Sequence, residues 1–235
     1  MSYSDNTFTI DHFAADAAAD QRAAFIRKTY LHLFGAILFF LGLEAMFLTV
    51  IPIRNSILSL VGSNWGIALI AFVGVSWLAN WWAHSGTNVA LQYAGLGLYA
   101  AAEAVIFVPI MAVASTVDAS IIPTAGFLTL LIFGGLTVIV FVTGADFSFL
   151  RNALFVLGLV AMGAVVCSMF MGFSLGIWFA AAMIGLMCGY ILYDTSNVLH
   201  HYRTGQHVAA SLALFASIAT LFYYVIFFLL SLSDD

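Results

Sequence analysis

Long apolar stretches separated by short polar breaks run through this chain from about residue 30 to residue 230. A bilayer core about 30 Å thick takes roughly 20 helical residues to cross, and backbone groups in lipid must be hydrogen-bonded within their own element. The pattern predicts seven transmembrane helices, at about residues 30–51, 65–83, 89–112, 120–142, 152–170, 175–200 and 208–230. Because the connections are short, we expect antiparallel neighbours in one all-α polytopic bundle.

Charged side chains are too few to give a particle of this size a water-facing surface. They make up 7% of the residues, against about 25% in soluble domains, and apolar residues make up 64%. Most of the surface must therefore meet the lipid bilayer, which excludes a soluble globular fold. The acids behind the net charge of −5 lie mostly near the two ends of the chain, so no nucleic-acid partner is expected.

Positive charge sets the expected orientation of the chain in the membrane. The basic residues on one side of the predicted spans are Arg22, Arg27, Lys28, Arg151 and Arg203. Only Arg54 lies on the other side, so the positive-inside rule places the N-terminus in the cytoplasm. Residues 1–24 are polar and rich in Ala and Asp, and they are predicted to form a disordered cytoplasmic tail before a transmembrane domain over residues 25–235. An odd number of spans puts Asp234 and Asp235 on the far, periplasmic side.

Three acids lie inside the predicted spans, namely Glu44, Glu103 and Asp194. An ionisable side chain costs about 2.5 to 3.5 kcal/mol to insert there, so each is a candidate functional residue. Glu44 and Glu103 both lie about 21 Å from the cytoplasmic start of their helices, at 1.5 Å per residue, and can share one layer. The alternative is that each is protonated and hydrogen-bonded to a neighbouring group, or faces the outer water.

The sixth and seventh spans form a hairpin that turns near Gly205, so depth can be counted along both arms. Asp194 lies about 17 Å from the turn, near the middle of the membrane, with Ser217 roughly opposite. Thr220 shares the Ser217 face of the last helix, and Asn197 follows Asp194 by about one turn. This spacing predicts a polar seam of ion- or proton-sensing residues. The alternative for Ser217 is that a small residue only lets two helices approach closely.

Catalytic patterns do not occur in the sequence. There is neither an HExxH run nor a GxSxG turn. The only lysine, Lys28, precedes the first span, which excludes a retinal Schiff base within the bundle. His200, His201 and His207 cluster at the mouth of the last hairpin and are interpreted as interfacial anchors. We therefore expect neither enzymatic activity nor a cofactor.

Two stretches of this hairpin, residues 190–200 (YILYDTSNVLH) and residues 213–222 (ALFASIATLF), resemble the signature hairpin of the Bax inhibitor-1/YccA family. Further similar pieces are residues 25–30, Pro109 and residues 146–150. The resemblance implies a seven-helix bundle whose last helix is central. In several members it also implies a pH-sensitive calcium leak, in which an acid on the sixth span shares a proton with an acid on the seventh.

The chain departs from that pattern at two positions. Asp194 supplies the sixth-span acid, but Ser217 occupies the position of the second acid, and His84 is the nearest match to a basic residue of the second span. This departure resembles the YccA branch, whose bacterial inner-membrane members are associated with modulation of the FtsH membrane protease. We therefore expect a YccA-like regulatory membrane protein whose N-terminal tail is the segment that such a protease binds.

A cation or proton leak is the second function that the sequence allows. Asp194 would control it, with Glu44 and Glu103 as further stations on the path. Ca²⁺ would be the permeant ion, and Asp194 would be its ligand if Ca²⁺ binds. Hard cations want several oxygen ligands, so a single carboxylate predicts weak Ca²⁺ conduction.

Overall fold

The computed structural model describes residues 12–86 and 88–233. Predictions for residues 1–11 of the tail and for Asp234 and Asp235 concern residues outside that range. The described chain contains α1 (Ala19–Thr49), α2 (Ile51–Ser63), α3 (Trp65–Ala83), α4 (Val89–Val117), α5 (Ile121–Thr143), a short 3₁₀ turn (Ser148–Leu150), α6 (Arg151–Met171), α7 (Gly176–His200) and α8 (His207–Ser233).

Seven of these helices are long and apolar enough to cross a membrane, which confirms the predicted all-α polytopic fold. They are α1 and α3 to α8. The helix α2 was not predicted, because Pro52 and the polar residues after it were interpreted as a break between spans. Pro52 lies in the first turn of α2, where a helix tolerates proline because the missing N–H would have no partner there. The helix α4 also continues to Val117, beyond the predicted end at residue 112.

Residues 12–24, part of the tail predicted to be disordered, contact the turn between α7 and α8 in the structure. The backbone N–H of Ala14 donates to the carbonyl of Tyr202, at 2.8 Å, in the turn between α7 and α8. The Arg203 guanidinium lies over the Phe13 ring, 5.2 Å from its centroid, in a cation–π contact. The segment is ordered because this turn hydrogen-bonds part of its backbone and buries Ala14 completely.

The last helix, α8, lies at the centre of the bundle, as the family resemblance implied. Its main packing partners are α7, α4, α1 and α5. In the apolar stretch of 18 residues chosen in each helix, 56% of the residues of α8 are buried, whereas 6% of those of α6 are. The helix α6 therefore lies at the lipid-facing periphery, and α8 forms the core on which the other spans pack.

Two close contacts hold the helices around this core. Gly95 on α4 is buried where α4 crosses α3, and a Cβ atom there would lie 2.5 Å from the carbonyl oxygen of Ala79 and 2.7 Å from the backbone nitrogen of Ala83. Phe107 on α4 is 1% exposed and stacks on Phe222 of α8, with ring centroids 5.7 Å apart. The glycine sets how closely two backbones approach, and the aromatic residue fills the space between α4 and α8.

Candidate functional site

Asp194 and Ser217 meet in the interior of the bundle. The Ser217 hydroxyl donates a hydrogen bond to Oδ2 of Asp194 at 2.6 Å, and the two residues are 9% and 6% exposed. Asp194 lies on α7 and Ser217 on α8, so the bond spans the tightly packed hairpin. The structure thus places Ser217 opposite Asp194, where counting from the turn had put it.

Both residues line a cavity of about 600 Å³ between α3, α4, α6, α7 and α8. Aliphatic, methionine and aromatic side chains form most of its wall. Glu103 and Thr220 line the same cavity. The polar seam predicted for the hairpin therefore opens onto a space that also receives an acid from α4.

Glu103 is the second carboxylate of this cavity. The hydroxyl of Tyr99, one turn earlier on α4, donates to its Oε1 at 2.9 Å. The side chain is 5% exposed, so the apolar body of the bundle encloses it apart from the cavity. Sequence reasoning had ranked Glu103 below Asp194 and had named it, with Glu44, as a further station on a possible ion path.

Glu44 lies elsewhere. It is 3% exposed at the end of the buried stripe of α1, and it is not part of the cavity wall. Within the described residues, neither of its carboxylate oxygens has a hydrogen-bond partner. The shared layer expected for Glu44 and Glu103 does not bring them into hydrogen-bond contact.

The remaining two predicted seam residues differ in their placement. The Thr220 hydroxyl donates to the carbonyl of Ala216 at 2.8 Å, so its proton is used within α8 while its oxygen can still accept. Asn197 does not line the cavity. Its carbonyl instead accepts the N–H of His201 and ends α7.

Among the described residues that line the cavity, Glu103 and Asp194 are acids and none is basic. Among the described residues, no group of three or more His, Cys, Asp or Glu side chains comes together as a metal site. The ion pair found among those residues joins His201 to Asp146. Neither Asp194 nor Glu103 forms an ion pair with a described basic side chain. When ionised, two carboxylates in such a space attract a cation and repel an anion.

A second polar cluster, which the sequence did not reveal, lies beyond the turn-side end of α7. Asp146, in the link between α5 and α6, accepts a hydrogen bond from the Ser196 hydroxyl at 3.3 Å and one from Nε2–H of His201 at 3.1 Å. The Ser196 hydroxyl oxygen in turn accepts the backbone N–H of Phe147 at 2.8 Å. His201 is therefore a partner of Asp146 and not only an interfacial anchor.

Local geometry explains why Asp146 stays ionised. The backbone N–H of Ser148 donates to it at 2.9 Å and, with His201 beside it, lowers the pKa of this carboxyl to about 2. An Asp two residues before a backbone donor is the pattern of an Asx turn, and this was the available sequence signal. The cluster ties the link between α5 and α6 to α7 two residues beyond Asp194.

Comparison with known proteins agrees with this architecture. The family model described as "Inhibitor of apoptosis-promoting Bax1" matches residues 22–234, which is most of the chain. The chain belongs to the Bax inhibitor-1 family. The resemblance found in the last hairpin is thereby confirmed, and the bundle is that of an integral membrane protein of this family.

Two curated relatives extend the comparison. A BI1-like protein of Arabidopsis thaliana is 35% identical over 112 residues, covering 45% of this chain and 43% of the relative. Bax inhibitor 1 of Schizosaccharomyces pombe is 36% identical over 107 residues, covering 45% of this chain and 40% of the relative. The matched region thus spans less than half the length of these Bax inhibitor-1 family members.

Replacing Asp146 with alanine tests the second cluster of this Bax inhibitor-1 family chain. We expect the free energy of unfolding at pH 7 to fall by about 1 kcal/mol, the typical effect of losing a side-chain cap. Because the pKa of Asp146 is lower in the folded chain than its unfolded value of about 3.9, its stabilising effect is present above pH 4. This effect is lost as the pH falls towards 2. Thermal unfolding of the unaltered chain and of Asp146→Ala, in detergent at pH 7 and pH 3, measures the change in stability.

Asp118 provides the control. It is an exposed acid in the link after α4, and its carboxylate also accepts a backbone N–H, from Ser120 at 2.7 Å, but among the described residues no side-chain hydrogen bond ties that carboxylate to another helix. Asp118→Ala is expected to lower stability less than Asp146→Ala. Equal effects would show that only the local turn matters and that the link to α7 does not.

Proposed function

We propose that this Bax inhibitor-1 family membrane protein is a slow cation leak controlled by Asp194, and that it acts without enzymatic activity or a cofactor. The observation that carries the proposal is the buried Ser217–Asp194 hydrogen bond at the wall of a cavity that Glu103 also lines. An acid held inside a transmembrane bundle is costly, and such residues mark ion or proton paths.

The chemistry of the cavity supports weak rather than efficient conduction of Ca²⁺. An ionised Asp194 attracts a cation, and Glu103 adds a second carboxylate that the sequence had not brought to it. Ca²⁺ takes six to eight oxygen ligands, which two carboxylates and a few hydroxyl groups do not supply. Protons are therefore the favoured permeant ion, with Ca²⁺ passing slowly.

The proposed location rests on the resemblance to the YccA branch, and the proposed orientation rests on charge. The resemblance implies the bacterial inner membrane. The N-terminus is placed in the cytoplasm because the basic residues on one side of the predicted spans are Arg22, Arg27, Lys28, Arg151 and Arg203. In that orientation, the ordered segment before α1 and the Asp146–His201 pair lie at the cytoplasmic end of the bundle.

Modulation of an FtsH-type membrane protease is the second candidate function. The observation that favours it is Ser217, which occupies the position of the family's second acid. At this position the chain resembles the YccA branch. Co-purification of such a protease with the full chain, but not with a chain lacking residues 1–11, would support it. Equal recovery with both chains would exclude residues 1–11 as the part of the tail that binds the protease.

Asp194→Asn in liposomes loaded with a Ca²⁺-sensitive or pH-sensitive dye tests the leak. The substitution keeps the shape of the side chain and an oxygen that accepts from Ser217, but removes the charge. We expect cation flux to fall about tenfold, the factor that corresponds to losing about 1.4 kcal/mol of attraction for the ion.

The matched control for this flux experiment is Asp118→Asn, which removes an exposed acid outside the bundle and should leave the flux unchanged. Unchanged flux in Asp194→Asn would exclude Asp194 as the controlling residue of a leak.

A further inference from the structure

The cavity has the size and lining of a small-molecule site. Its volume of about 600 Å³ lies within the range of about 300 to 1,000 Å³ that ligand pockets occupy. Such pockets are mostly apolar, with a few polar groups that orient the ligand. Aromatic residues of the wall include Trp65, Phe72, Phe107, Phe179, Tyr223 and Phe227.

The wall of this cavity carries two acidic side chains and, among the described residues, no basic one. Glu103 and Asp194 are 5% and 9% exposed, and both belong to the wall. Each receives one side-chain hydrogen bond from a neutral hydroxyl, that of Tyr99 or Ser217. The described part of the chain offers no salt bridge to either carboxylate, so the complementary guest is a cation.

The apolar lining restricts which cation fits. A small inorganic ion loses its water shell in such a space and regains few oxygen ligands. An organic cation with a bulky apolar body is weakly hydrated, can place its charge beside the carboxylates, and can pack its apolar groups on aromatic faces. Aromatic side chains recognise such cations through the negative faces of their rings.

The lipid-facing helix α6 forms one side of the cavity. The helix α6 packs mainly on α7, and the Tyr190 hydroxyl joins the two helices by donating to the Leu154 carbonyl at 3.0 Å. Only 6% of the α6 span is buried, so this helix separates the cavity from the bilayer. A molecule dissolved in the bilayer would approach the cavity from this side.

We infer that this cavity binds a lipophilic monovalent organic cation, with its charge beside Glu103 and Asp194 and its apolar groups against the aromatic wall. The inference goes beyond the proposed leak, because a bound molecule of this class occupies the space that the leak would use. It also stands on its own, since binding is measured without any ion flux.

Tetraphenylphosphonium is the probe, and tetraphenylborate, of the same shape and opposite charge, is its control. Binding of each radiolabelled ion to the full chain in nanodiscs of neutral lipid is measured by equilibrium dialysis, with empty nanodiscs subtracted. We expect saturable binding of the cation at one site per chain and at least tenfold weaker binding of the anion. Equal binding of the two ions, or none of the cation above empty nanodiscs, would overturn the inference.

Variants assign the binding to the two carboxylates. Glu103→Gln with Asp194→Asn should weaken binding of the cation at least tenfold. Glu44→Gln is the matched control, because it neutralises a third buried acid that does not line the cavity, and it should bind as tightly as the unaltered chain. Unchanged binding in the double variant would overturn the inference.

The two proposals fail separately. Loss of flux in Asp194→Asn without any binding of tetraphenylphosphonium would retain the leak and remove the ligand site. Binding of the cation to a chain that conducts no ions would do the reverse. If both hold, tetraphenylphosphonium should also reduce cation flux in liposomes.

Discussion

Replacing Phe107 with alanine is expected to lower the free energy of unfolding by about 3 kcal/mol, near the low end of the range for buried Phe to Ala changes. The Phe107 ring is 1% exposed and lies between α1 and α8. Its centroid is 5.0 Å from that of Phe40, 5.7 Å from that of Phe222 and 5.4 Å from that of Tyr223. Removing the ring leaves an unfilled space among three aromatic side chains.

The expected loss of unfolding free energy is at the low end of the range for Phe to Ala changes because the protein lies in lipid. In a membrane protein the unfolded helices remain in an apolar solvent, so burial does not gain the transfer energy from water. What is lost is the packing of the ring against its neighbours. Unfolding by sodium dodecyl sulfate in mixed micelles, followed by circular dichroism, measures the change.

Phe155→Ala is the control for this substitution. Phe155 lies on α6 and is 63% exposed, so it faces lipid and not the core. Its removal should alter the unfolding free energy by less than about 0.5 kcal/mol. A comparable loss of unfolding free energy in the two variants would contradict the central position of α8 and the packing of α4 against it.

Gly95→Ala is expected to destabilise the chain by about 1 to 3 kcal/mol, although alanine is the better helix former. The added Cβ would lie 2.5 Å from the carbonyl oxygen of Ala79 and 2.7 Å from the backbone nitrogen of Ala83. Backbone atoms cannot rotate away as a flexible side chain can, so α3 and α4 must separate. The same detergent titration measures the effect.

Gly97→Ala tests whether the clash is the cause. Gly97 lies two residues further along α4, and nothing lies within 4 Å of the position its Cβ would take. We expect this variant to be as stable as the unaltered chain or slightly more stable, because a glycine in a helix has been replaced. Equal destabilisation at both positions would mean that helix geometry, and not the α3–α4 contact, is responsible.

Hydropathy was sufficient to predict the seven spans, since it is set by the bilayer itself and needs no knowledge of packing. The short helix α2 was missed because it is too short to span and carries a proline, Pro52, in its first turn, and a proline is equally typical of a loop. The ordered segment at residues 12–24 was missed for a different reason. It is polar in composition, and its order comes from contacts with a turn about 190 positions further along the chain.

The candidate site divides in the same way. Asp194 and Ser217 could be paired in advance because a short turn fixes the register of α7 against α8. Glu103 could not be added, because its presence in the cavity depends on how α4 is rotated about its own axis, and packing alone decides that rotation. The pairing of Asp146 with His201 joins two separate links, so neither residue carries a sign of the other in the local sequence.

The central position of α8 also orders the assembly of this protein in time. Seven helices leave the ribosome before α8 does, yet α8 supplies the surface on which most of them pack. Until α8 is made, Asp194 lacks the hydroxyl of Ser217, and the carbonyl of Thr29 on α1 lacks the Ser211 hydroxyl that donates to it at 2.8 Å. The bundle therefore cannot close until α8 is made, because α8 then packs against α1, α4, α5 and α7 together.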